Sequence, residues 1–131
     1  MLLAIDTSTA QVGLALYDGT QVLGEMTWTT LQHHTTELAP ALSGLLNRSG
    51  VTMDMVGALG VAIGPGSFTS LRVGLSLAKG IALARRLPVI GIKTLDIIAA
   101  AQPMGKHPLV EESGTARRPR LRWLDGRVAM K

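Results

Sequence analysis

The pattern of apolar and polar positions along this chain changes period several times, and each change marks an element. Leu2 to Ile5 is a short apolar run ending in Asp6-Thr7-Ser8-Thr9, which reads as a buried strand entering a polar turn. From Val12 the pattern alternates, with Val12, Leu14 and Leu16 on one face and Gly13, Ala15 and Tyr17 on the other. Asp18-Gly19 is a strong hairpin signal, and Val22 to Thr29 resumes as a third strand. Between Glu37 and Arg48 the period becomes helical. Leu38, Leu42, Leu45 and Leu46 share one stripe, with Thr35 or Thr36 as the expected N-cap and Ser49-Gly50 as the stop.

Val56 to Ile63 is a continuous apolar run with glycines, as in a strand covered on both faces. It enters Gly64-Pro65-Gly66-Ser67 and emerges as a long helix over 68–86. Val89 to Ile92 is a further short strand, and Lys93-Thr94 starts a third helix running through Ala101. The order β-β-β-α-β-α-β-α predicts an α/β protein with a mixed sheet, a hairpin meander followed by right-handed crossovers, as in ribonuclease H-like folds. After Gln102-Pro103 the periodicity fails among Gly105, Pro108, Gly114, Pro119 and Gly126. The expected organisation is one folded lobe over 1–104 and a basic tail over 105–131, irregular or disordered.

Charge sharpens that division. The chain has 131 residues, 13 Lys+Arg against 9 Asp+Glu, and a formal net charge of +4. Residues 1–104 hold six basic and six acidic side chains, so the whole excess sits in 105–131. The charge balance of the folded part therefore gives no reason to expect nucleic-acid binding by it. With no cysteine there is no thiol nucleophile, disulfide or zinc–thiolate site. The start, MLLAIDTST, lacks a basic run and breaks its apolar stretch at Asp6, unlike a signal peptide. No apolar run approaches the ~20 residues of a membrane helix, so a cytoplasmic protein without a membrane partner is expected.

Two polar stretches carry candidate chemistry. Gly64-Pro65-Gly66-Ser67-Phe68-Thr69 joins a buried strand to a helix, where amide groups and the helix dipole favour an anion. No Gly-Lys-Ser/Thr closes it, so the stretch also reads as a tight turn capped by Ser67 or Thr69. Asp6-Thr7-Ser8 at the end of the first strand suits a magnesium–nucleotide phosphate. An Asx turn satisfying backbone groups is the favoured reading, since no glycine follows Asp6 and no Lys or Arg appears before Arg48. Asp6, Thr7, Ser8, Gly64, Gly66, Ser67 and Thr69 thus form a candidate phosphate or nucleotide loop. His33-His34 lacks the spacing and companions of a metal site, and no G-x-S-x-G elbow is present. No catalytic residue and no metal ligand is assigned. Along the second helix Ser70, Gly74, Ala78 and Ala82 make a stripe of small residues that admits a close neighbour, either the chain's own sheet or a partner helix.

Ile5-Asp6-Thr7-Ser8, the His34 to Pro40 spacing, and above all Gly64-Pro65-Gly66-Ser67-Phe68-Thr69 with Leu71-Arg72-Val73-Gly74 and Ala78-Lys79-Gly80 resemble the TsaB (YeaZ) family. The resemblance covers residues 1–102, about half of such a protein, and Ser70 stands where the family usually has glycine. It implies the first lobe of an actin-like ATPase fold and a non-catalytic subunit that supports the transferase TsaD in threonylcarbamoyladenosine modification of tRNA. An ATP-dependent kinase or a glycoprotease remnant of the same superfamily is the alternative. The implied partners are a second copy of the chain, TsaD-like and TsaE-like proteins, and tRNA indirectly through the complex. ATP and magnesium are implied only in that complex, with no cofactor bound by this chain alone. The implied partner interface lies on the first two helices, through Leu38, Leu42, Leu45, Ser70, Gly74, Ala78 and Ala82. On this reading residues 105–131 are unrelated to a second lobe.

Overall fold

A computed structural model describes residues 1–31 and 33–101 in full and, beyond them, the backbone of three short strands. Strands β1 (Leu2–Asp6), β2 (Gln11–Tyr17) and β3 (Val22–Thr29) form the opening meander. Helix α1 (His34–Ser49), a single tight turn at Met53–Met55, strand β4 (Ala58–Ala62), helix α2 (Phe68–Arg85), strand β5 (Val89–Ile92) and helix α3 (Thr94–Ala100) follow. The sheet order is β3-β2-β1-β4-β5. β1 pairs antiparallel with β2 and parallel with β4, and β4 pairs parallel with β5. This is the α/β, ribonuclease H-like arrangement that the element order predicts. No helix among the described residues is long and apolar enough to cross a membrane.

The alternation in β2 sets which face is covered. Val12, Leu14 and Leu16 are fully buried and join Leu3, Ile5, Leu59 and Val61 in one core with Leu38, Leu42 and Leu45 of α1 and Ala78 of α2. α1 and α2 therefore cover one side of the sheet. α3 contributes Ile97 and Ile98 to the other side, beside Ala4, Gly13 and Gly60. At the β2–β3 hairpin Gly19 takes φ +107°, and the Asp18 carboxylate accepts from the amides of Thr20 and Gln21 at 2.7 and 2.8 Å. Those amide donors hold the Asp18 carboxyl below the usual carboxylate range.

The first helix starts earlier than its apolar stripe indicates. Its N-cap is His33, with no side-chain cap, so neither Thr35 nor Thr36 serves. Buried Thr30 organises the entry instead: its hydroxyl accepts from the His33 amide at 3.0 Å and bonds Glu37 in the first turn. Gly50 ends α1 in the left-handed conformation, with the Val51 amide returned to the Leu46 carbonyl at 3.0 Å. Arg86 closes α2 the same way, at φ 55°. Ser67 is the N-cap of α2, as expected, but its hydroxyl accepts from Ser70 at 3.1 Å rather than capping the backbone.

Beyond residue 101, β6 (Leu109–Val110), β7 (Leu121–Leu124) and β8 (Arg127–Met130) pair antiparallel as a separate three-stranded sheet. These are three segments of the tail for which an irregular conformation was expected. The remaining tail positions lie outside the described residues.

Glu37 yields a pH test. The Thr30 hydroxyl, the Trp28 indole N–H at 3.0 Å, and more weakly His33 and His34 hold its carboxyl below the ordinary glutamate value. A carboxylate depressed in the folded state stabilises above its unfolded pKa, and that contribution disappears as pH falls through the folded pKa. Urea melts from about pH 6 down to about pH 3 should show Glu37→Gln losing less stability than the parent. Parallel losses would remove Glu37 from the acid response.

Candidate functional site

The end of β1 and the loop before α2 are built against each other. Asp6 Oδ1 accepts from the Ser8 amide at 2.9 Å and from the Ser8 hydroxyl at 2.6 Å, closing an Asx turn. The Ser8 carbonyl accepts from the Ser67 amide at 2.9 Å. Gly66 lies so close to that carbonyl that a Cβ there would collide with the Ser8 backbone. Thr7 turns the opposite way from Asp6, and its buried hydroxyl donates to the Ser70 carbonyl at 2.6 Å. A Cβ on Gly74 would run into the Thr7 hydroxyl and methyl. The two polar stretches are thus adjacent, as one site would require. The amides of Ser8 and Ser67 already serve the chain itself.

Successive side chains leave a strand on opposite faces, and this divides the candidate loop. Asp6 and Ser8 line a cavity of about 580 Å³ on the second face of the sheet, with Gln11, Glu25 and Thr27 at its polar end. Ile92, Ile97 and Ile98 form its apolar end. Thr7 faces α2 in the core, and Thr69 lines a groove on the far side of the sheet. Gly64, Gly66 and Ser67 do not reach the cavity wall. Asp6, Thr7, Ser8, Gly66 and Ser67 therefore form a structural junction with Asp6 and Ser8 at its open side, and Thr69 stands apart from it. The cavity lining carries two carboxylates, Asp6 and Glu25, and no Lys or Arg. Such a lining does not by itself fit a nucleotide's phosphates.

The expected partner interface is corrected by burial. Leu38, Leu42 and Leu45 are 2–5% exposed, and Ser70, Gly74 and Ala78 are buried against β1 and β4, with Ala82 half-buried beside them. The small-residue stripe lets α2 lie close to the chain's own sheet, so it is not an outward groove. The groove that is open, about 550 Å³, runs between α1 and α2 and is lined by Thr35, Ala39, Arg72, Val73, Ser76 and Leu77, with Leu38 at its floor. Sequence reasoning named Leu38 and the two helices but not Ala39, Arg72, Val73, Ser76 and Leu77 as interface positions. The signal was present: Arg72, Ser76 and Lys79 at i, i+4, i+7 mark the pole opposite the small residues. The two histidines diverge. His34 is buried with Nε2 3.5 Å from the Thr9 carbonyl, whereas His33 is exposed.

A family model described as "TsaD: tRNA N6-adenosine threonylcarbamoyltransferase" matches residues 21–121. Among curated proteins, the tRNA threonylcarbamoyladenosine biosynthesis protein TsaB of Escherichia coli is 37% identical over 98 residues, 75% of this chain and 42% of that protein. The TsaB of Haemophilus influenzae is 41% identical over 102 residues, 76% and 42% respectively. The chain thus spans less than half the length of these relatives. An uncharacterised protein of Mycobacterium tuberculosis is 35% identical over 124 residues, 93% of this chain and 57% of that one. Among solved structures, YeaZ from Pseudomonas aeruginosa aligns with a TM-score of 0.79 at 27% identity, covering 99% of this chain and 63% of that one. The mycobacterial and family-model matches both continue past residue 105.

The Thr7–Gly74 junction can be tested directly. Gly74→Ala should lower the stability of the chain by about 1–3 kcal/mol in urea denaturation. Adding Thr7→Ala should recover part of that loss, because it vacates the space the new methyl needs. A neutral Gly74→Ala would mean that α2 does not rest on the end of β1.

Proposed function

The chain belongs to the TsaB (YeaZ) family, within the group described by the TsaD model, and from that footing we propose that it is a non-catalytic partner subunit in threonylcarbamoyladenosine formation on tRNA. The observation that carries this reading is the set of curated TsaB relatives, 29–41% identical over about three quarters of the chain. The geometry supports it in two ways. The polar groups of the β1 turn are consumed in holding the chain together, Asp6 by Ser8 and Thr7 by Ser70. A nucleotide in the neighbouring cavity would meet the Asp6 and Glu25 carboxylates and no Lys or Arg side chain, so ATP and magnesium belong to the assembled complex rather than to this chain alone. That argues against an independent kinase, and a glycoprotease reading has no observation in its favour.

The partner of this subunit is a TsaD-type transferase, seated on the outer faces of α1 and α2, with a TsaE-type protein joining the pair and tRNA reached through the assembly. A homodimer, the other expected partnership, would have to use the same outer faces. Cytoplasmic placement follows from this role.

Co-expression with a TsaD-type transferase should give a co-purifying complex. Adding the chain to a modification assay should raise threonylcarbamoyladenosine yield above that of the transferase alone. The purified chain should neither hydrolyse ATP nor cleave protein above background. Turnover by the chain alone that vanished in Asp6→Ala would replace the partner-subunit reading with an enzymatic one.

A further inference from the structure

The five-stranded sheet is covered unequally on its two faces. Strands about 4.8 Å apart make it roughly 19 Å across, and a helix with its side chains takes about 10 Å, so a face has room for two helices. The first face has two, α1 and α2. Among the described residues the second face has α3 alone, seven residues long, with its own Leu95 and Ala99 buried. The cavity of about 580 Å³ lies beside α3, over β1, β2 and the inner side of β3. Glu25 and Thr27 stand on its β3 side, Ile97 and Ile98 on its α3 side, and Asp6 at the end of β1. The two carboxylates meet no Lys or Arg side chain across it.

The floor of that cavity is made of small residues. Ala4, Gly13, Ala15 and Gly60 share it, because their strand neighbours Leu3, Val12, Leu14 and Leu59 turn the other way into the core. Gly13 pairs with Asp6 on one side and Thr27 on the other, and Ala15 pairs with Ala4 and Glu25. A glycine inside a strand marks a bulge, a positive φ or the close approach of another backbone. The irregularity of this hairpin lies at Leu16/Tyr17, and Gly13 has no positive φ. A Cβ on Gly13 would meet Thr27 at 3.7 Å and Asp6 at 4.0 Å, ordinary van der Waals separations. Gly66 and Gly74 differ, since a Cβ on either collides with the chain itself. The chain's own packing thus does not call for glycine at 13, whereas a close neighbour on the second face would.

We infer that the second face of the sheet receives one further helix, laid beside α3 over Gly13 and Ala15. Its aliphatic side meets Ile97 and Ile98, and a Lys or Arg on it reaches Asp6 or Glu25. The helix comes from the portion of the longer relatives that this chain does not match. Less than half of the Haemophilus influenzae TsaB chain is matched, and more than a third of the Pseudomonas aeruginosa YeaZ chain lies outside the alignment. A sheet face is buried by a layer of helices, which a small cationic molecule would not supply. Because this face lies across the sheet from α1 and α2, its occupant does not compete with a transferase seated on those helices.

The probe is the part of Haemophilus influenzae TsaB outside the match, produced as a separate polypeptide and added to the full chain. The chain has no cysteine, so a single replacement reports on each surface. Ala15→Cys should react with a thiol reagent in the chain alone and be protected at least about tenfold by the polypeptide. Ala39→Cys, in the groove between α1 and α2, should stay reactive throughout. In titration calorimetry Gly13→Val should weaken binding of the polypeptide at least about tenfold, because its side chain fills the floor. Neither Gly13→Val nor Gly13→Ala should lower the urea midpoint of the chain. Glu25→Lys should weaken binding roughly three- to tenfold. Absence of binding overturns the inference, as does binding that ignores Gly13→Val or protects Ala39→Cys in place of Ala15→Cys. A lower urea midpoint in both Gly13 variants places the need for glycine inside the chain and overturns it too. An Ala15→Cys thiol that is unreactive in the chain alone means that residues beyond 101 already cover the face, which also overturns it. Protection of Ala15→Cys by a TsaD-type transferase gives the face to another occupant, overturning the inference and leaving the partner-subunit reading intact.

Discussion

How closely α2 can approach the end of β1 governs the helical side of this protein. The approach is made at one place, where Gly74 presents a bare backbone to Thr7 and the Thr7 hydroxyl donates to the Ser70 carbonyl at 2.6 Å. A glycine in a helix interior costs roughly 1 kcal/mol against alanine, and the close contact offsets it. Ala78, fully buried one turn further on, continues the same surface along the sheet. With α2 held there, Leu38, Leu42 and Leu45 of α1 complete the core over Val12, Leu14 and Leu16.

The same contact decides what the polar turn can do. Thr7 is committed to α2, so the strand's alternation sends Asp6 and Ser8 to the other face, into the cavity beside α3. The Ser67 amide is drawn onto the Ser8 carbonyl, which fastens the loop before α2 to the turn after β1. A stretch that resembles a phosphate loop thereby acts as a clasp between two crossover units. Its glycines serve a near approach of backbone to backbone, which Gly66 makes against Ser8.

Layering also sorts charge. An α/β lobe with two helices on one face and a partly open cavity on the other has two chemically distinct surfaces. Here Asp6 and Glu25 line the cavity while Arg72 and Lys79 stand exposed on α2, so a lobe of zero net charge carries its signs unevenly. Such a surface orients encounters with a charged partner, and it does so without any excess in the total.

The sequence by itself determined most of the elements, because period and punctuation are local properties. The alternation at Val12, Leu14 and Leu16, the Asp18-Gly19 hairpin and the Gly50 stop each dictate their geometry through residues a few positions apart. It also pointed to the family, through the run from Gly64 to Gly80. Tertiary structure alone decided the rest. Thr30, distant from any helix pattern, organises the start of α1 by reaching both His33 and Glu37. Whether the stripe of Ser70, Gly74 and Ala78 faced inward or outward had no local answer, since small residues permit close packing against either a sheet or a stranger. Only the position of Thr7, 67 residues away from Gly74 along the chain, turned that stripe inward. The opposite pole, with Arg72, Ser76 and Lys79, was thereby left exposed.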